Sequence, residues 1–154
     1  MRFAASAFAY MLLAGKSAVG TPAPGSALVL GPCVDTSGQC YYVSPAGYPF
    51  KQVLRNAYTS PIPLCWTVNA TGALSLDAAQ TGNVKQTFNY TSSSTFVSLN
   101  SSLCVTFDAL VSGAPLHMAP CNSSTSQVLV YDSTQDGHVV AGHLGSGLCV
   151  GSAP

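Results

Sequence analysis

Gly113-Ala-Pro-Leu-His-Met-Ala-Pro-Cys121, followed by Gln127, has a counterpart near the start of the chain. That counterpart is Gly25-Ser-Ala-Leu-Val-Leu-Gly-Pro-Cys33, followed by Gln39. In both, glycine stands eight residues before cysteine, and proline immediately before it. Apolar residues stand five and three before it (Leu116 and Met118, Leu28 and Leu30), and glutamine six after. A third copy, Gly72-Ala-Leu-Ser-Leu-Asp-Ala-Ala79, leads to Gln86-Thr-Phe88; it keeps the leucines and the glutamine but has Ala79 for cysteine. A second landmark recurs as Leu64-Cys-Trp66, Leu103-Cys-Val105 and Leu148-Cys-Val150. The glutamines are 47 and 41 residues apart, and the Leu-Cys pairs 39 and 45. Units of that length cannot bury an apolar face alone, but three of them can share one core.

The phase of the repeat predicts how the chain closes. The last Leu-Cys pair stands at the C-terminal end, and the first Gly-to-Gln unit has no Leu-Cys strand of its own. If the two ends meet, the final strand completes the first unit, and three units of four strands close without a free edge. Composition agrees with an all-β chain. Glu is absent, and Lys and Arg number only 5. Ser, Thr, Val, Gly and Pro favour strands and turns over helix. Short apolar or alternating runs predict strands near 27–30, 39–43, 52–54, 63–68, 73–76, 84–90, 95–98, 103–107, 115–118, 127–131, 138–141 and 148–150. Within 84–90, Lys85, Thr87 and Asn89 alternate with Val84, Gln86, Phe88 and Tyr90, which predicts one buried face. A β-sandwich with partly coincidental repeats is the competing arrangement.

The start of the chain reads as an export signal. Met1-Arg2 precedes an uncharged apolar run to Gly15, too short for a bilayer span of roughly 20 residues, and Ala18-Val19-Gly20 follows as a small-residue cleavage pattern. The expected division is a signal peptide over 1–20 and one domain over 21–154; Lys16 supports the competing reading of a buried helix. Four of the six Asn lie in acceptor sequons: Asn69-Ala-Thr, Asn89-Tyr-Thr, Asn100-Ser-Ser and Asn122-Ser-Ser. Chance predicts about one, and a glycan requires a surface Asn. The 6 Cys are an even number with no Cys-x-x-Cys spacing, which favours disulfides in an oxidising compartment over zinc or redox chemistry. Beyond residue 20, five Asp face Lys51, Arg55 and Lys85, a net charge of −2. No basic patch suits a nucleic-acid partner.

The recurring Leu-Cys-Val, Leu-x-Met-x-Pro-Cys and Gln-x-Leu elements between Leu103 and Leu129 resemble the ricin-B-type β-trefoil lectin family, whose repeat ends in Gln-x-Trp. Gln39-Cys-Tyr41, Gln86-Thr-Phe88 and Gln127-Val-Leu129 are relaxed copies of that ending. The resemblance covers roughly residues 22–151 and implies a β-trefoil. It also implies disulfides Cys104–Cys121 and, by closure, Cys33–Cys149, leaving Cys40 and Cys65 to pair across repeats. Six cysteines allow 15 connectivities. Gln39, Gln86 and Gln127 are expected to satisfy buried backbone groups between strands.

The family's sugar site uses an Asp two residues after the first Cys and an aromatic ring two before the second. Here those positions hold Thr67, Thr106 and Gly151, and Gly31, Asp77 and Ala119. The remaining candidates for ligand contact are Asp108, two residues beyond the Asp position, His117, at a usual Gln position, and Asn122. The chain lacks a Gly-x-Ser-x-Gly elbow, a phosphate loop and a dinucleotide fingerprint. His138 and His143, five apart, lack metal-ligand spacing, and each of the three His (His117, His138 and His143) reads as a surface or turn residue. No catalytic residue, metal or cofactor is expected. The expectation is a secreted, non-catalytic carbohydrate-binding glycoprotein with an atypical or lost sugar site, meeting carbohydrate or glycoprotein partners. The alternative is an extracellular protein partner held by the loops, as in a protease inhibitor. The aromatic-rich stretch Tyr41, Tyr42, Tyr48 and Phe50 reads as packing, and if exposed as a replacement contact surface.

Overall fold

A computed structural model describes residues 22–34, 41–45, 52–56, 63–132 and 137–153. The expected signal segment over 1–20, Gln39, Cys40, Tyr48 and Phe50 lie outside them. Among the described residues the regular structure is strand, apart from two single 3₁₀ turns. The strands are β1 (Ser26–Pro32), β2 (Tyr41–Pro45), β3 (Gln52–Asn56), β4 (Leu64–Val68), β5 (Leu74–Ala78), β6 (Phe88–Tyr90), β7 (Phe96–Ser98), β8 (Cys104–Phe107), β9 (Leu116–Ala119), β10 (Leu129–Asp132), β11 (His138–Ala141) and β12 (Leu148–Ser152). All pairings are antiparallel, in one curled sheet ordered β10-β11-β12-β1-β5-β4-β3-β6-β7-β8-β9, with β2 on β3.

The first and last of these strands along the chain meet. β1 pairs with β12 over five positions, from Leu28 opposite Ser152 to Pro32 opposite Leu148. A Cys33–Cys149 disulfide fastens the end of that ladder across a sequence separation of 116. A second disulfide joins Cys104 to Cys121. Cys65 is fully buried in β4; its expected partner Cys40 is outside the described residues.

The repeated Gly-to-Leu strands β1, β5 and β9 touch pairwise. Ser26 pairs with Leu76, Val29 bridges to Pro115, and Ala73 bridges to His117. Backbone bonds complete the triangle: Gly25 N to Leu76 O, Gly113 N to Leu30 O, and Met118 N to Gly72 O. The chain must bend sharply where each of these strands begins, and Gly25, Gly72 and Gly113 supply φ of +87°, +83° and +89°. That region is open to glycine and costly for most side chains. The repeat glycines are therefore explained by backbone geometry.

The apolar positions of the repeat converge on one core. Leu28, Leu30, Leu74, Leu76, Leu116 and Met118 are buried, as are Trp66, Val105 and Val150, the residues that follow each Leu-Cys pair. Trp66 sits at the middle of an aromatic group, edge-on to Tyr41 (5.6 Å), Phe88 (6.2 Å) and Phe96 (5.3 Å). These are the spacings edge-to-face aromatic pairs prefer. Tyr41 is thereby committed to packing, not to a contact surface. Within the described residues the buried Trp66 indole N–H has no hydrogen-bond partner, which offsets part of what the ring contributes. Trp66→Phe is accordingly expected to lower unfolding stability by no more than about 2 kcal/mol, since the lost packing is opposed by removal of the unpaired donor. Urea unfolding checks this, and a loss well above that range would mean the N–H is satisfied in solution.

One expectation needs correction. Residues 84–90 do not form a continuous strand: Val84–Gln86 is a 3₁₀ turn and only Phe88–Tyr90 is β. The expected strand over 127–131 likewise starts late, because Thr125–Gln127 is the matching turn. The first turn is nucleated by Asn83, whose side chain accepts from Lys85 N at 3.0 Å. Val84, expected on the buried face, is half-exposed, while Gln86 is buried.

Candidate functional site

The two turns carry the repeat glutamines into identical surroundings. Gln86 Nε2 donates to Thr67 Oγ1 (3.0 Å) and to Ala78 O (2.9 Å), and its Oε1 accepts from Gln80 N (2.8 Å). Gln127 Nε2 donates to Thr106 Oγ1 (3.1 Å) and to Pro120 O (2.9 Å), and its Oε1 accepts from Asn122 N (3.0 Å). Each amide therefore ties the turn before one strand to the hairpin that precedes it. The 3₁₀ geometry is what lets the side chain fold back to make these bonds. Gln39 is outside the described residues.

These clamps also occupy the positions where a sugar-accepting Asp was sought. Thr106 Oγ1 accepts from Gln127 and donates to Cys104 O at 3.0 Å, and Thr67 Oγ1 accepts from Gln86 and donates to Cys65 O at 3.2 Å. Each hydroxyl has spent its single proton inside the fold. At the sought ring positions, Asp77 accepts from Ser75 Oγ at 2.6 Å and Ala119 presents only a methyl group. In the β12–β1 pair both positions are glycine: Gly31 faces Cys149 and Gly151 faces Val29.

Of the three remaining candidates, the structure brings two together. His117, on β9 opposite Thr106, lies with Nε2 3.5 Å from the Oδ1 of Asp108, just beyond β8. Asp108 is 75 % exposed and His117 34 %. The pair presents a carboxylate oxygen and an imidazole to solvent, enough to accept from and donate to a polar ligand. Asn122 does not join them. It stands beyond Cys121, where its Oδ1 accepts from Ser124 N at 3.0 Å.

His138 is buried in β11, not at the surface or in a turn, while His143 is exposed in the following turn. Among the described residues no group of three or more His, Cys, Asp or Glu could hold a metal ion, and no helix is long and apolar enough to cross a membrane. A feature not marked by any motif is the apolar character of two neighbouring loops. Leu110 and Val111, between β8 and β9, and Leu144, between β11 and β12, are exposed, and Leu110 lies against Gly142. No protein-family model matches the chain, and no curated protein is significantly similar to it.

Proposed function

We propose that this chain is a secreted, non-catalytic carbohydrate-binding protein with a ricin-B-like β-trefoil, in which Asp108 and His117 form a reduced sugar site. The observation that carries the reading is the exposed Asp108–His117 pair. It sits on the hairpin where the family places its sugar contacts, while the positions that the family uses are filled by threonine, alanine, glycine or, in one case, an aspartate bonded to Ser75. The β-trefoil part is supported by the duplicated glutamine clamp, the pairwise meeting of β1, β5 and β9, and the ladder between β1 and β12. Export is supported by the two disulfides, which persist in oxidising compartments, and by the four sequons.

A site of one carboxylate and one imidazole without an aromatic platform binds weakly, so a multivalent display is the suitable assay. On a glycan array, deglycosylated protein is expected to bind a restricted set of glycans. Asp108→Ala is expected to weaken that binding about tenfold, the loss for one charge-assisted hydrogen bond. Silence across neutral and acidic glycans would remove the reading, and full binding by Asp108→Ala would move it elsewhere.

Leu110, Val111 and Leu144 favour a second reading, a protein partner held by these loops, since clustered exposed apolar side chains mark interaction surfaces. Capture of a partner that free sugars do not displace, and that Leu110→Ser with Leu144→Ser abolishes, would support it instead.

A further inference from the structure

A cavity of about 190 Å³ opens beside the Cys104–Cys121 disulfide, away from Asp108 and His117. One wall is the turn between β6 and β7, with Thr91, Ser93 and Thr95; the other is Ser123 and Ser124; Val97 and Val128 contribute apolar surface. The first wall is fixed in place. Thr91 N donates to Thr95 O and Ser94 N to Thr91 O, both at 3.0 Å, and Leu129 N donates to Ser94 O at 2.7 Å. The cavity is thus part of the folded frame.

Its chemistry is specific in kind. Among the described residues no charged side chain lines it, and five hydroxyl-bearing residues do, together with Gln127. A hydroxyl offers one donor and two acceptor positions, and part of that capacity is unused here. Thr91 Oγ1 accepts from Thr95 N at 3.2 Å and Ser124 Oγ lies 2.8 Å from Ser126 Oγ, but Thr95 Oγ1 makes only a 3.4 Å donation to Ser93 O, the Thr91 and Ser93 hydroxyls are 3.4 Å apart, and the Ser123 hydroxyl makes no hydrogen bond within the described residues. Neutral hydroxyls facing an apolar floor of valine and disulfide suit a ligand that is itself uncharged, rich in hydroxyls and apolar on one face. A sugar ring has that description.

The sequence places two possible sources at the rim. Thr91 and Ser124 are the third residues of the Asn89 and Asn122 sequons. Asn89 pairs with Val97, and residues opposite each other in an antiparallel pair share a face with Cβ atoms about 5 Å apart. Asn122 leads directly into the second wall, and with its Oδ1 held by Ser124 N, its Nδ2 makes no hydrogen bond within the described residues.

We propose that this cavity seats one uncharged sugar residue, N-acetylglucosamine where it comes from a glycan on Asn89 or Asn122, and otherwise a free saccharide. The glycan source rests on the glycoprotein reading above; the chemistry of the cavity does not. The test is amide NMR on three samples. The first is glycosylated protein trimmed enzymatically to a single N-acetylglucosamine per site. The second is Asn89→Gln with Asn122→Gln, neither of which lines the cavity. The third is that double variant titrated with N-acetylglucosamine to tens of millimolar. Amides of residues 91–95, 123–124 and 128 are expected to differ between the first two samples, and the matching single variant identifies the source. The titration is expected to move the same amides, with about fivefold weaker binding after Thr95→Val, the cost of one neutral hydrogen bond. If mass analysis finds neither Asn carrying a glycan, the glycoprotein reading of these two sites falls and the titration alone decides. Cavity amides that stay still in both comparisons, or a Thr95→Val titration indistinguishable from its parent, would overturn the proposal.

Discussion

Replacing Cys33 and Cys149 together by serine is expected to lower unfolding stability by about 4–5 kcal/mol, the largest loss from any single cross-link in the described structure. The bridge closes a loop across 116 residues, and in the chain-entropy account a loop of that size restricts the unfolded ensemble by about that amount. The Cys104–Cys121 bridge spans only 17 residues, so its removal is expected to cost about 3 kcal/mol. The ranking follows from sequence separation alone. For a domain of this size the larger loss lowers Tm by about 10–20 °C. The folded state should survive, because the five-position ladder between β1 and β12 still joins the ends. Urea unfolding of both double variants and the parent measures the difference. Equal losses, or none for the Cys33–Cys149 pair, would show that the ends are already held together in the unfolded ensemble.

The same closure was the most legible feature of the sequence, and the reason is physical. A Leu-Cys strand without a partner unit at one end and a partner unit without its strand at the other leave one economical arrangement, and β12 lies on β1. The positions of β1 and β4 to β12 were readable because each carries leucine, valine or phenylalanine at a buried site, between turns of glycine, proline or small polar residues. Residues 84–86 misled because a strand and a 3₁₀ turn both place Gln86 inward; only the capping Asn83 distinguishes them. Of the site, Asp108 and His117 could be named because the resemblance fixes where to look, but their 3.5 Å approach depends on how β8 and β9 pair. The serine- and threonine-lined cavity was not legible. Its walls come from residues 91–95 and 123–124, each of which reads alone as a polar turn, and only the packing of β10 against the β6–β7 turn sets them face to face.

Gln127→Met is expected to lower stability by about 3 kcal/mol although the side chain keeps its length. Gln127 is 1 % exposed and serves three partners. Without the amide, Asn122 N and Pro120 O lose the bonds they make to it, and Thr106 Oγ1 loses its donor. Each backbone group left unpaired in a part-buried site costs about 1–3 kcal/mol, and the apolar gain of methionine offsets only part of this. Gln127→Glu separates bonding from shape. It is nearly isosteric, yet it loses both donated hydrogen bonds and turns a carboxylate toward the Pro120 carbonyl, so it is expected to be at least as destabilising as methionine. Gln86→Met removes the same three bonds from the preceding unit, and a loss of similar size is expected there. The two clamps share no partner, so the losses should add. A total of about 6 kcal/mol approaches the whole stability of many domains, and the double variant is expected to be largely unfolded at 37 °C by circular dichroism. A double variant no worse than either single one would mean that the two glutamines act on one cooperative element, and that the repeats do not contribute to the core as separate units.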